Sequence, residues 1–153
     1  MEINTKAPAI VRHRIQIAAG CDIVWEVLTD LQGWPAWNKQ VESLTLDGPL
    51  APGSNFEWKA GPGVIRSTLA EVDPPRKIAW TGQTFGIKAI DVFRLEEADG
   101  STFVSEDESW DGLLVRFFTR RMQHTLRDSI EKGLQALKIE AERRASSREP
   151  ALV

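Results

Sequence analysis

The chain has 153 residues, the length of one average domain, and is long enough to bury a hydrophobic core. Hydrophobic residues make up 42% of it and charged residues 27%, which is typical of a soluble globular protein. The net charge of −3 argues against a nucleic-acid-binding protein, because no basic excess is available to neutralise phosphates.

Turn signals divide the chain into segments of strand length. Pairs such as Asp47-Gly48, Pro52-Gly53 and Asp99-Gly100 recur at close intervals, a pattern typical of an antiparallel meander. This spacing predicts seven strands, near residues 9–18, 41–47, 54–60, 64–73, 77–83, 87–97 and 102–110.

Helical periodicity appears in two regions that frame the strands. Residues 22–31 carry apolar side chains at helical spacing, and a second short helix or turn is predicted over residues 34–39. After a predicted N-cap at Asp111, apolar residues recur every three or four positions from Leu114 to Ala141. A helix of about 30 residues would be about 45 Å long, enough to lie across a whole sheet.

The predicted order is one strand, two short helices, six strands and one long helix. Together with the segments VRHRIQIAAGCDIVWEVLTDLQGWPAWN, EVDPPRKIAW and GSTFVSEDESWDGLL, this order resembles the START-like or Bet v 1-like superfamily (SRPBCC), the polyketide cyclase/dehydrase-related group. The resemblance extends from about residue 11 to residue 137. It implies an α+β helix-grip fold, in which a seven-stranded curved antiparallel sheet wraps around the long C-terminal helix.

The same resemblance implies an elongated cavity between the sheet and the long helix, which takes up apolar or aromatic small molecules. We expect a single domain over residues 1–153, with a core at about 9–145 and a flexible tail at 146–153. Strand alternation then predicts which side chains line the cavity. The candidate ligand-binding residues are Trp34, Trp37, Trp58, Arg66, Trp80, Asp91, Phe93, Trp110, Phe118 and Met122.

The last predicted strand carries three consecutive acids, Glu106, Asp107 and Glu108. Its two faces are hard to distinguish; we place Glu106 and Glu108 inward, because that face ends in Trp110 and agrees with the resemblance. Two carboxylates about 7 Å apart repel by about 2.4 kcal/mol at a dielectric of about 20. Unless Arg66 lies between them, one should be partly protonated near neutral pH, as a general acid requires.

Each candidate also has a structural interpretation. Acids near a cavity mouth can be hydrated or paired with Arg66, and the tryptophans on inward positions can serve as core as well as cavity wall. For Trp34 and Trp37, which flank Pro35 near the expected cavity entrance, the two interpretations carry equal weight. The start of the long helix, with Phe118 and Met122, can pack on the sheet in the ordinary way.

Several other kinds of chemistry find no support in the sequence. His13 and His124 lie on distant elements without metal-ligand spacing, and no serine lies in a nucleophile motif. The glycines around Pro62 are not followed by the Lys-Ser or Lys-Thr of a phosphate-binding loop. We therefore expect no metal and no nucleotide cofactor.

The cellular setting follows from what the chain lacks. The single cysteine, Cys21, allows no internal disulfide, which favours a reducing compartment. The N-terminal residues lack the pattern of a secretory signal, and no apolar run approaches the ~20 residues that span a bilayer. We expect a cytoplasmic protein without stable membrane insertion or nucleic-acid partner; a homodimer is compatible with the sequence.

Three functions remain open at this point. The first is a carrier or sensor that binds a small hydrophobic or aromatic molecule, with the tryptophans as walls and Arg66, Asp91 and Glu108 as polar contacts. The second is an enzyme of the cyclase, dehydratase or isomerase type, with Glu108 or Glu106 as acid/base catalyst. The third is a protein-interaction module like the co-chaperones of a sister group, whose cavity should be filled or absent.

Overall fold

The computed structural model describes residues 1–148. Seven strands form one antiparallel sheet, and each strand bound lies within one residue of its predicted position. The strands are β1 (Ala9–Ile17), β2 (Val41–Asp47), β3 (Asn55–Ala60), β4 (Gly63–Asp73), β5 (Lys77–Thr84), β6 (Ile87–Ala98) and β7 (Ser101–Asp111). Their order across the sheet is β1-β7-β6-β5-β4-β3-β2, so that β1 and β2 form the edges.

Helices cover one face of the sheet, here called the inner face. Helix α1 (Cys21–Thr29), a 3-10 turn (Leu31–Gly33) and α2 (Trp34–Trp37) follow β1. Helices α3 (Leu113–Phe117) and α4 (Thr119–Arg148) follow β7. The apolar residues of α4 recur at helical spacing and are buried in the same core as α1 and the sheet. This is the α+β helix-grip arrangement that the sequence predicts. None of the helices within residues 1–148 has the length and apolar composition needed to cross a bilayer.

The long C-terminal helix does not begin where the sequence predicts. The N-cap position of α3 is Gly112 and not Asp111, whose carboxylate accepts a hydrogen bond from the Gly112 N–H and pairs with Arg116. Phe118, with φ −120° and ψ 44°, then separates α3 from α4. The break leaves a short separate helix at the end of the sheet. Helix α4 continues through residues 146–148, the start of the predicted tail, whereas residues 149–153 lie outside the described residues.

The edge strand β1 is covered by polar side chains of α4. The Gln123 amide accepts a hydrogen bond from the Ile10 N–H at 2.9 Å and donates one to the Ile10 carbonyl at 2.6 Å. Farther along, the Lys138 ammonium donates to the Gln16 carbonyl at 2.9 Å. These contacts replace the neighbouring strand that an edge would otherwise need, and they fix α4 along β1.

The N-terminal segment covers the outer face of the sheet, which the sequence analysis did not anticipate. Ile3 is buried there in a small cluster with Ala79 and Val92. The Asn4 N–H donates to the hydroxyl of Ser109, which is completely buried. Apolar side chains thus cover both faces of the sheet at its centre.

A β-bulge reverses the predicted alternation in β4. The register with β5 shifts between Leu69 and Glu71, and the extra residue moves every side chain before it to the opposite face. Ser67 and Leu69 are therefore buried on the inner face, whereas the Arg66 side chain is 80% exposed and pairs with Glu57 at 3.0 Å. The prediction that Arg66 faces the interior is wrong for this reason.

Candidate functional site

Three carboxyl groups meet on the inner face at the centre of the sheet. Asp91 of β6 pairs directly with Glu108 of β7, and Glu106 lies two residues away on the same face of β7. One carboxylate oxygen from each residue lies within 4.8 Å of the other two. We call Asp91, Glu106 and Glu108 the acid triad. The inward orientation of Glu106 and Glu108 agrees with the prediction.

The acid triad is shielded from water and has no counter-charge. Asp91 and Glu106 are each only 6% exposed, and Glu108 is partly buried. No lysine, arginine or histidine nitrogen in residues 1–148 forms an ion pair with any of the three. Burying unpaired carboxylates is so costly that such groups take up protons instead.

The pKa values follow from this burial. Burial raises the pKa of Glu108 from its usual 4.5 to about 7, and a polar contact with the Trp110 indole acts in the opposite direction. Burial, and then repulsion by neighbouring acids, holds the pKa values of Asp91 and Glu106 well above their usual range. The sequence predicted partial protonation from repulsion alone. The upward direction of the pKa shifts agrees with that prediction, but loss of hydration on burial contributes more to them than repulsion does.

Asp107, the middle one of the three consecutive acids, lies in a different environment from its two neighbours. Asp107 lies on the outer face, where its carboxylate pairs with Arg94 at 3.4 Å and with Arg12 at 3.7 Å. Period-two alternation therefore places one acid in an ion-pair network and its two neighbours in the interior. The three consecutive acids therefore lie on opposite faces of the sheet, Asp107 on the outer face and Glu106 and Glu108 on the inner face.

An aromatic cluster adjoins the acid triad. Trp34 of α2 lies at its centre, with ring centroids 5.6 Å from Trp80, 5.8 Å from Trp58 and 6.5 Å from Trp37. Trp80 stacks on Phe93 at 5.4 Å. Across the sheet, Trp80 pairs with Asp91 and Phe93 pairs with Glu106, so the two groups share the same rows of the inner face.

Two polar atoms of this interior have no hydrogen-bond partner among the described residues. They are the Oδ1 of Asp91, an acceptor while ionised, and the indole N–H of Trp37, a donor. The other indoles of the cluster are satisfied: Trp34 donates to the Leu28 carbonyl at 2.9 Å, and Trp58 donates to the Ser67 hydroxyl at 3.0 Å. Buried polar atoms are rarely left unpaired, so these two mark a place where a further group would be stabilised.

Most of the predicted ligand-binding residues come together, and two do not. Trp110 and Met122 pack against the same core as the tryptophans. Phe118 is 53% exposed, because the break between α3 and α4 turns it away from the sheet. Arg66 is separated from the acids by the thickness of the sheet.

One residue near the acid triad was missed by sequence reasoning. His13 of β1 pairs directly with Glu106, so the two side chains share the inner face, and His13 is partly buried. The sequence places them 93 positions apart, and only the pairing of the first strand with the last brings them together. Alternation in β1 could have given the face of His13, but no local signal gives its neighbour.

Two surface concavities of the described residues lie elsewhere. One of about 280 Å³ is lined by the β5–β6 turn with Val64 and Arg66, and one of about 410 Å³ lies over the outer face of β3 and β4. Neither includes a member of the acid triad. The space at the centre of the inner face holds the aromatic cluster, so a ligand at the triad would have to displace some of these side chains.

The acid triad is suited to two kinds of chemistry. A pKa of about 7 lets Glu108 donate or accept a proton near neutral pH, as an acid/base catalyst does, and a protonated carboxyl of the triad can donate a hydrogen bond to a carbonyl. Three carboxylate oxygens at this spacing could also surround one divalent cation, since such ions prefer oxygen ligands about 2.1–2.5 Å away. In both cases the neighbouring tryptophans supply an apolar wall.

Known structures share this fold at low sequence identity. A hypothetical protein from Helicobacter pylori is 14% identical with a TM-score of 0.79, and the match covers 91% of each chain. The Zhui aromatase/cyclase from Streptomyces sp. R1128 is 21% identical with a TM-score of 0.75, covering 94% of this chain and 98% of that one. A START superfamily protein from Mycobacterium smegmatis is 15% identical with a TM-score of 0.71, and the match covers 92% of this chain and 99% of that one.

At these identities the similarity establishes the fold alone. No curated protein matches the chain in sequence. The family model described as polyketide cyclase/dehydrase and lipid transport matches residues 8–142, which include every strand, the acid triad and most of α4. The chain therefore belongs to the polyketide cyclase/dehydrase and lipid transport family.

Proposed function

We propose that the protein binds a small aromatic or hydrophobic molecule between the inner face of the sheet and α4, with a polar group of that molecule at the acid triad. The observation that carries this proposal is the buried, unpaired Oδ1 of Asp91 among three acids without counter-charge. A core that served stability alone would gain from apolar residues at these positions. The family membership supports the same class of ligand.

The chemistry of the interior narrows the ligand. Protonated carboxyls donate hydrogen bonds, and the Trp37 indole is a further donor, so a carbonyl or phenolic oxygen is a suitable polar group. Trp34 and Trp80 would contact the rings of an aromatic ligand edge-on or face-on. Binding requires the ligand to replace contacts that the aromatic cluster now makes with itself.

Tryptophan fluorescence tests this proposal directly. Flavonoids and polycyclic phenols should quench the emission of the wild-type protein, and Asp91→Ala and Trp37→Phe should each weaken binding by about tenfold, the effect of losing one buried hydrogen bond. Arg66→Ala is the matched control, because its side chain lies on the outer face. Equal weakening by all three variants, or no quenching by any compound of the panel, would contradict the proposal.

A second candidate function is acid/base catalysis of a cyclase or dehydratase type. It is favoured by the pKa of about 7 at Glu108, which lets this group exchange a proton at neutral pH. In that case Glu108→Gln should abolish turnover of a ligand found by fluorescence while its affinity changes little. Normal turnover by Glu108→Gln would rule out the acid/base role and leave binding alone. The aromatic cluster fills the centre of the inner face, as expected of a protein-interaction module, but a module that only contacts other proteins would have no use for the buried acid triad.

A further inference from the structure

The start of the C-terminal helical region presents an apolar surface to solvent. Leu113 and Phe117 of α3 are 75% and 81% exposed, and Phe118 is 53% exposed. Only Val115 of this short helix is buried. An isolated exposed apolar residue is common, whereas several adjacent large ones mark a contact site.

The neighbouring β5–β6 turn enlarges this surface. A Cβ atom at Gly112 would lie 2.4 Å from the Gly86 carbonyl oxygen, so the start of α3 lies directly against the turn. Phe85 in that turn is 65% exposed. We call the exposed apolar residues at this end of the sheet the docking surface; they are Phe85, Leu113, Leu114, Phe117 and Phe118.

Arginines lie next to the docking surface along the chain. Residues 113–127 contain four arginines and no acid, in a chain whose net charge is −3. Arg116 pairs with Asp111, but Arg120 and Arg121 have no carboxylate within 4 Å among residues 1–148 and are exposed. The end of the molecule that carries the apolar side chains is therefore basic although the chain as a whole is acidic.

We propose that the docking surface binds the headgroup region of an anionic lipid bilayer. Phe117 and Leu113 would enter the interface, and Arg120 and Arg121 would contact lipid phosphates. Aromatic and leucine side chains beside arginines are the combination that an interfacial segment needs, since the apolar groups gain from burial and the cations from the negative surface potential.

The charge distribution favours a membrane over a second copy of this chain. A symmetric dimer formed through the docking surface would bring the same basic segments of two chains together. Like charges across such an interface oppose association, whereas an anionic bilayer attracts them. The contact is peripheral, and it goes beyond the proposed function without depending on it.

Vesicle sedimentation tests the proposal with the intact protein. We expect binding to phosphatidylcholine vesicles that contain about 30% phosphatidylglycerol, and much weaker binding to phosphatidylcholine alone. Raising NaCl to about 0.5 M, where the Debye length is about 4 Å, should release most of the protein. Absence of binding to the anionic vesicles would overturn the proposal.

Two double variants locate the membrane contact on the protein. Leu113→Ser with Phe117→Ser should weaken vesicle binding at least tenfold, because two exposed apolar side chains no longer enter the interface. The control is Ile139→Ser, which removes a 60% exposed apolar side chain from the far part of α4 and should bind like wild type. Arg120→Glu with Arg121→Glu should weaken binding by at least 25-fold, about fivefold for each arginine lost.

The charge control is Lys6→Glu with Lys39→Glu, which changes the net charge equally at two exposed lysines elsewhere. If this control weakens binding as much as the arginine pair does, the attraction is non-specific and the docking surface is not the contact. If light scattering shows a wild-type dimer that Leu113→Ser with Phe117→Ser converts to a monomer, the surface is a self-association interface, which also overturns the proposal. Because the vesicles contain no aromatic ligand, failure here leaves the test of ligand binding unaffected.

Discussion

Asp91 and Glu108 occupy directly paired positions on β6 and β7, with both side chains on the inner face. A like-charged cross-strand pair destabilises a sheet when both members are ionised. Glu106 adds a third carboxyl within the same 4.8 Å, and no lysine, arginine or histidine in residues 1–148 forms an ion pair with any of the three. The sheet is therefore most stable when this site holds protons.

This arrangement predicts an unusual dependence of stability on pH. Between pH 4.5 and about 7, folded Glu108 keeps a proton that the unfolded chain has released, so the free energy of unfolding falls as the pH rises. Glu108 alone contributes up to about 3 kcal/mol to this fall, and Asp91 and Glu106 act in the same direction. Urea denaturation at pH 5 to 8 measures the slope.

Glu108→Gln should flatten that slope, because an amide does not titrate. Glu57→Gln is the control, since the Glu57 side chain is 61% exposed on the outer face. Parallel slopes for Glu108→Gln and the wild type would show that Glu108 titrates normally. A rise in melting temperature on addition of MgCl2 would instead show that a cation, and not protons, balances the acid triad.

Replacing Gly112 by alanine should be strongly destabilising. Its φ of 131° disfavours any side chain, and a Cβ atom would lie 2.4 Å from the Gly86 carbonyl oxygen. Gly100→Ala is a matched control, because Gly100 also has a positive φ but nothing within 4 Å of the added atom. We expect about 1 kcal/mol for the control and at least about 2 kcal/mol more for Gly112→Ala, measured by urea denaturation. Equal losses would show that backbone strain alone decides both positions.

Removing the Gln123 side chain should loosen α4 from the edge of the sheet. Gln123→Ala leaves the N–H and carbonyl of Ile10 without their partners, which should lower the free energy of unfolding by about 1–3 kcal/mol. Gln135→Ala, an exposed glutamine of the same helix, should change it by less than about 0.5 kcal/mol. Hydrogen exchange at Ile10 should accelerate only in the first variant. An unchanged rate of hydrogen exchange at Ile10 would mean that water replaces the Gln123 side-chain amide without loss of stability.

The Trp34 indole should contribute more to stability than an ordinary partly buried tryptophan. Trp34→Phe keeps most of the ring contacts but leaves the buried Leu28 carbonyl without its donor, at a cost of about 1–3 kcal/mol. Trp25→Phe is the comparison, because Trp25 is only partly buried and its indole donates to no described residue. Urea denaturation of both variants should show the larger loss for Trp34→Phe. A larger loss for Trp25→Phe would contradict the central position given to Trp34.

The inward placement of Glu106 and Glu108 needed the resemblance to a known family as well as alternation along the strand. The sequence by itself determined the seven strands and the two helical regions. These features follow from local rules: turn residues end strands, and side chains alternate along each strand. Period two also gave the inward face of Asp91 and Phe93 in β6. Each of these conclusions needs only neighbouring residues.

Only the tertiary structure decided which of these residues meet. The bulge at Leu69 moved Arg66 outward, the pairing of β1 with β7 placed His13 beside Glu106, and the break at Phe118 turned an expected cavity residue toward solvent. Bulges and long-range pairings depend on energies summed over the whole sheet, and such sums leave no signal in a short stretch of sequence. The same holds for the pKa of Glu108, since burial, its main cause, is a property of the assembled fold.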